Sequence, residues 1–246
     1  MIQLLLVLSI GAGVGFMGGV FGKGGSAIAT PLLAAVGVPP IVAVAAPLPA
    51  TVPGTAVASL AYWRSRLVDR PVVLWSLGVG VPATALGALA SQWVDGHLLL
   101  LATELLVIAI GARTLLTRTS EGVGYTAALS SVRLVGVAAL TGLAGGLLAN
   151  SGGFLLAPLY IAVLRLPVKQ AFACSLAVSA VLAVPGTMVH AALGHIDWHV
   201  VGLFAVASIP GSYLGARVAI RADAARLERA YGGVLVLLGV TLLLVR

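Results

Sequence analysis

The chain has 246 residues, 60% of them hydrophobic and 9% charged, with a mean hydropathy of +1.13 and a formal net charge of +7. A soluble domain carries about 25% charged residues, and too few polar side chains are present here to cover a water-facing surface. The composition excludes a cytosolic enzyme, a nucleic-acid binder and a secreted disulfide scaffold, and it makes lipid the solvent for most of the protein.

A helix needs about 20 apolar residues to cross a hydrocarbon core of about 30 Å. The first run of that kind, 2–21, has no charged segment before it and is read as a membrane helix, not a secretory signal. Within it Gly11, Gly15 and Gly19 recur every fourth residue, the pattern of a close helix-packing face. Gly13, Gly15 and Gly18 spell G-x-G-x-x-G, without the strand–turn–helix context of a dinucleotide site. A glycine-rich elbow, Gly22-Lys23-Gly24-Gly25-Ser26, then opens the short run 26–37, which stops at Pro39-Pro40. Its 12 residues cover only about 18 Å as a helix. Run 41–62 holds Pro47, Pro49 and Pro53, which predict a kinked helix. Runs 71–91 and 97–116 follow, the second carrying Glu104. Beyond a polar stretch come 133–149, a second elbow at 149–153, the short run 153–164 ended by Pro167, and then 169–192, 199–217 and 230–245.

The two halves correspond. Residues 22–31 align with 149–158 at an offset of 127, and Val81-Pro82 through Ala88 aligns with Ile209-Pro210 through Ala216 at 128. Two matched blocks in the same order mark an internal duplication. Charge orients the halves: Arg64, Arg66 and Arg70 fill one gap, whereas its counterpart at 193–199 holds only His195, Asp197 and His199. The gap at 92–98 has no base, whereas its counterpart has Arg217, Arg221, Arg226 and Arg229. If basic gaps face the cytoplasm, the halves lie upside down relative to each other. With each short segment in a hairpin, 12 of the 14 bases fall on one side, Lys23 and Arg246 excepted. The expected fold is an all-α polytopic membrane protein of two inverted-topology repeats, 1–118 and 133–246, joined by a cytoplasmic linker at 119–132. Each repeat contains one short broken or re-entrant helix.

The two elbows are the candidate substrate site. Irregular backbone at membrane depth must line a protein cavity, and a helix N-terminus presents N–H donors and about half a positive charge. Short, glycine-interrupted segments in matching positions are the strongest sequence pointer to a transporter's binding site. Lys23, Gly24, Gly25 and Ser26 from one side and Asn150, Ser151, Gly152 and Gly153 from the other would hold a small anion. Lys23 has a second reading, as a side chain snorkelling from a shallow loop. The serines have one as small residues at helix contacts.

Glu104, the acid deep in a long run, either couples protons to transport or makes a polar contact between helices. Cys174 either touches a sulfur substrate or packs as a small hydrophobe; as a lone cysteine it forms no internal disulfide. His195 and His199 have the spacing of metal ligands on one helical face. The neighbouring Gly194 and Trp198 fit a helix start at the interface, with Asp197 as its cap.

These elbows resemble those of the TauE/SafE sulfite-exporter family, the TSUP permeases. Residues Gly22 to Leu32 are similar to the first copy of its G-x-G-G-G-x-x-x-x-P-L-like motif, with Ser26 for the third motif glycine. Gly152-Gly153 through Pro158-Leu159 resembles the second copy, with Ala149 and Ser151 replacing glycines. The stretch from Leu166-Pro167 to Leu176 also looks like the family. The resemblance implies a multi-pass permease of the cell (inner) membrane moving sulfite, thiosulfate or an organosulfonate. Alternating access would come from rocking one repeat against the other. The expected partners are a small anion, the bilayer and a proton as coupling ion, with no cofactor, no metal and no nucleic acid. Both termini are expected outside. Two rivals stand beside this reading: an intramembrane serine hydrolase using Ser151, and an anion channel on the same fold.

Overall fold

The computed structural model describes residues 2–22, 29–30, 32–33, 36–90, 112, 131–147, 153–192, 194 and 196–244. Among them there is no strand. The described helices are α1 (Ile2–Phe21), α2 (Pro40–Ala45), α3 (Pro47–Arg64), α4 (Arg70–Ala90), α5 (Ser131–Leu147), α6 (Gly153–Ala162), α7 (Val168–Ala192), α8 (Trp198–Arg221) and α9 (Ala224–Leu244). Four of them, α1, α4, α7 and α8, are long and apolar enough to cross a membrane. The chain is an all-α polytopic membrane protein. The run 97–116 apart from residue 112, Glu104 within it, and half of the first short segment lie outside the described residues.

Local chemistry accounts for the helix ends. The helix expected over 41–62 is divided at Ala46, between α2 and α3, where Pro47 starts the next helix without an N–H. α8 is capped by Asp197, whose carboxylate accepts from the N–H groups of His199 at 2.8 Å and Val200 at 3.2 Å. At its far end α8 continues through Arg217 to Arg221, past the apolar run, because cations suit a helix C-terminus. α9 begins six residues before its apolar run, since Asp223 caps the Arg226 N–H at 3.0 Å.

Two glycine seams hold the bundle. In the first, α1 and α8 run parallel. A Cβ on Gly11 would lie 2.8 Å from the Phe204 carbonyl oxygen, and one on Gly15 or Gly19 would collide with the carbonyls of Ser208 or Ser212. From the other side, Gly211 and Gly215 meet the carbonyls of Ala12 and Phe16. The Ser212 hydroxyl donates across the seam to the Gly15 carbonyl at 3.1 Å. The second seam joins α4 and α5, also parallel. Gly142 meets Gly80, Gly146 meets Thr84, and Gly87 meets Leu143, each against a backbone carbonyl. Gly142 and Gly146 stand 127 residues after Gly15 and Gly19, while Gly80 and Thr84 stand 128 before Ser208 and Ser212. Each seam thus pairs a helix from one half of the chain with a helix from the other.

Around the seams the neighbours are α1, α8 and α3 on one side and α5, α4 and α7 on the other, with α3 and α7 facing each other between them. α3 runs with α8: Ser208 Oγ lies 3.4 Å from the Ala50 carbonyl, and Gly54 faces the Ser212 hydroxyl. α7 runs with α4, matching Cys174 to Asp69 and Leu182 to Gly80. The end of α3 (Arg64), the start of α4 (Arg70), the start of α7 (Lys169) and the end of α8 (Arg217, Arg221) gather at one end of the bundle. There Lys169 Nζ donates to the Ile220 carbonyl at 2.9 Å, and the Arg70 guanidinium lies 4.9 Å from the Trp63 ring centre. α1, α3 and α8 run toward this basic end; α4, α5 and α7 run away from it. After α1 the chain returns to the opposite end, where Gln3 Nε2 donates to the Val36 carbonyl at 3.5 Å.

Candidate functional site

The elbows are described at their edges. α1 ends on Gly22, whose φ of +69° is left-handed backbone that an L side chain strains to adopt. A Cβ at that position would also lie 2.5 Å from the Phe172 Cα. The chain therefore leaves α1 hard against α7. At the second elbow, Gly153 is buried as the first residue of α6, and its carbonyl accepts from the Ser175 hydroxyl of α7 at 3.2 Å. Phe172 and Ser175 are three residues apart, so they share a helix face about 4.5 Å apart along the axis. The edges of both elbows border one turn of α7.

One turn further along α7, Ser179 is fully buried and its hydroxyl has no hydrogen-bond partner among the described residues. Such a group is costly in an apolar surrounding. Near the exit of α1, Phe21, Phe172 and Tyr231 pack ring on ring, with centroids 5.0–6.4 Å apart. This aromatic cluster fixes the first elbow's departure point to α7 and α9.

Of the expected site residues, Gly153 and Cys174 are described. Lys23, Gly24, Gly25, Ser26, Asn150, Ser151, Gly152 and Glu104 lie outside the described residues. Cys174 is fully buried and turned to the loop between α3 and α4. The Asp69 N–H donates to its sulfur at 3.3 Å, and the thiol lies 3.8 Å from the Asp69 carbonyl. Asp69 also caps α4 through the Val72 N–H at 3.1 Å. Asp197 is the cap of α8, and His195 lies outside the described residues. A cleft of about 420 Å³ opens away from the elbows, at the basic end between α3 and α8.

Ser175, Ser179 and Phe172 were not singled out by sequence reasoning, because nothing in a run of ordinary helix residues marks which turn will meet the elbows. Another feature did carry a signal. Val52-Pro53-Gly54-Thr55 on α3 recurs as Val184-Pro185-Gly186-Thr187 on α7. These are the two central helices, each with its proline inside. Gly54 makes room for the hydroxyls of Ser208 and Ser212, and Gly186 for Leu48.

A helical bundle with four described helices of membrane length, in which the described edges of both elbows meet one inner helix, defines a multi-pass α-helical membrane protein. The family described as "Sulfite exporter TauE/SafE" matches residues 7–242. The chain belongs to that family, as its elbows suggested. It is 32% identical over 237 residues to a "Probable membrane transporter protein" of Xylella fastidiosa (strain 9a5c), covering 92% of this chain and 90% of that one. It is 26% identical over 241 residues to "Probable membrane transporter protein YunE" of Bacillus subtilis (strain 168), covering 87% and 86%. No solved structure matches it.

Proposed function

We propose that the protein is a permease for a small sulfur-containing anion such as sulfite, thiosulfate or an organosulfonate. The anion is held between Lys23, Gly24, Gly25 and Ser26 of the first elbow and Asn150, Ser151, Gly152 and Gly153 of the second. The observation that carries this reading is the meeting of Gly22 and Gly153 with one turn of α7, at Phe172 and Ser175. Backbone N–H groups freed at the elbows, one lysine and the hydroxyls of Ser26 and Ser151 supply an anion with donors in a setting where few charges are tolerated. Glu104 is the candidate carrier of a coupling proton. The hydrogen bonds of Cys174 to Asp69 favour its packing role.

Two inverted repeats, 1–118 and 133–246 with the linker 119–132 between them, account for the matched seams. They also account for the opposite senses of α1 and α5, of α3 and α7, and of α8 and α4 relative to the basic end. With the basic end in the cytoplasm of a cell whose inner membrane holds the protein, both termini lie outside. Rocking one sequence half against the other would tear both glycine seams. The moving bodies in this reading are therefore α1–α8–α3 and α5–α4–α7, hinged where α3 and α7 meet around Pro53 and Pro185.

The hydrolase alternative needs a histidine beside Ser151. His190 stands fifteen residues beyond Ser175 on α7, about 22 Å along the axis, which favours transport over catalysis. The channel alternative differs in lacking saturation. Flux of labelled sulfite, thiosulfate and taurine into proteoliposomes tests the proposal. Saturable uptake that falls in Lys23→Ala is the expected result. Uptake no greater than in empty liposomes for all three anions overturns it, and flux linear in concentration favours the channel.

A further inference from the structure

The cleft at the basic end has a different character from the elbows. Its rim is formed by Arg64 from the last turn of α3 and by Arg217 and Arg221 from the last turns of α8. Its wall is apolar and includes Leu60 and Ile220, with Tyr213 partway up. Among the described residues that line it there are three arginines and no carboxylate. The Arg217 guanidinium lies over the Tyr213 ring, 5.6 Å from its centre, which fixes its plane before any ligand arrives. The cleft opens to the outside of the bundle: Leu60 is 49% and Tyr213 39% exposed, on faces of α3 and α8 turned away from their seam contacts.

We infer that this cleft binds an anionic phospholipid, with its phosphate among Arg64, Arg217 and Arg221 and the upper part of one acyl chain along Leu60 and Tyr213. Charge complementarity carries the assignment. Guanidinium groups hold phosphate oxygens through paired hydrogen bonds, and basic pockets between membrane helices take anionic headgroups. Arg64 and Arg221 stand at the helix ends and Leu60 and Tyr213 further toward the helix middles, with the Arg217 guanidinium over Tyr213 between them, an order that suits a lipid from headgroup to chain. A free anion would leave the apolar wall unmatched. The volume, about 420 Å³, is within the range of small-molecule sites. A lipid seated here would clasp the ends of α3 and α8, two helices from opposite halves of the chain.

The test is retention of lipid by the full-length protein, purified in non-ionic detergent and examined by native mass spectrometry after addition of phosphatidylglycerol or phosphatidylcholine. Wild type should keep phosphatidylglycerol in preference to phosphatidylcholine. Each arginine removed should lower that retention about fivefold, and R64Q/R217Q/R221Q should nearly abolish it. R226Q/R229Q, which removes two bases at the same end outside the cleft, should leave it unchanged. Glycerol 3-phosphate should not compete. In wild type, a photoactivatable phosphatidylglycerol should crosslink to peptides covering 57–65 and 213–221. That arm needs no variant and stands if the triple substitution fails to fold. Equal retention of the two lipids, equal loss in both variants, competition by glycerol 3-phosphate, or crosslinks elsewhere would each overturn the inference.

Discussion

The Tyr62 hydroxyl donates to the carbonyl of Gly19 at 3.1 Å, tying the last turn of α3 to the last turn of α1. Gly19 is thereby held twice, since its missing side chain also admits the Ser212 carbonyl of α8. One residue is the meeting point of three helices. Its position three residues before Gly22 makes it the foundation of the first elbow.

Tyr62→Phe keeps the ring, which is fully buried, and removes this bond together with the hydroxyl's longer one to the Val20 carbonyl at 3.5 Å. The loss should cost about 1 kcal/mol, read as a lowered melting midpoint in detergent micelles. An unchanged midpoint would mean that the hydroxyl contributes nothing to the junction.

The glycines separate into two groups by position. Gly19→Val and Gly146→Val force a branched side chain onto a backbone carbonyl of the facing helix, and each should destabilise by at least about 1–3 kcal/mol. Gly13 and Gly136 have open space where a Cβ would go, so Gly13→Ala and Gly136→Ala should be neutral or stabilise by up to about 1 kcal/mol. Parallel melts of the four variants check the seams; similar losses in both groups would refute them.

That contrast also marks how far the sequence could be read. The four-residue glycine spacing in α1 announced a packing face, and α1 has one. Nothing local said that its partner would be α8, because a small-residue stripe specifies closeness of approach and not who approaches. The proline-rich run 41–62 is divided at Ala46 for a stereochemical reason that acts within a single turn. The start of α9 was missed because Arg226, Glu228 and Arg229 dilute the apolar run, while the cap at Asp223 decides where the helix begins. The described edges of the elbows, Gly22 and Gly153, were legible from their glycines. Ser175 was not, since its role depends on a contact with Gly153 across 22 residues.

Ser175 provides a test of the elbow site. In Ser175→Ala the Gly153 carbonyl loses its donor, and the half-saturating sulfite concentration should rise about fivefold, the equivalent of about 1 kcal/mol. Ser175→Thr keeps the hydroxyl and should restore the wild-type value. Loss without rescue by threonine would assign Ser175 to packing alone.

The hinging proposed at the centre of the bundle can be tested by a cross-link. Leu48 on α3 lies in contact distance of Gly186 on α7, with a Cβ position 3.4 Å from a Leu48 methyl. In a Cys174→Ser background, Leu48→Cys with Gly186→Cys should be bridged by a short bifunctional thiol reagent. Uptake should stop on bridging and return when a cleavable bridge is reduced. Full uptake in the bridged protein would contradict hinging between these helices.

The seams also prescribe an order of assembly during synthesis. The residues joined across α4 and α5 are separated by about 60 positions, so that pair is complete once α5 has entered the bilayer. The bond from Ser212 to Gly15 spans 197 positions. At about 5–20 residues per second, α1 waits about 10–40 s in lipid, its glycine face uncovered, before α8 leaves the ribosome. Helices associate in the bilayer only after each has been inserted. The α4–α5 seam is therefore the nucleus, and α1, made before the other described helices, is among the last to find its place.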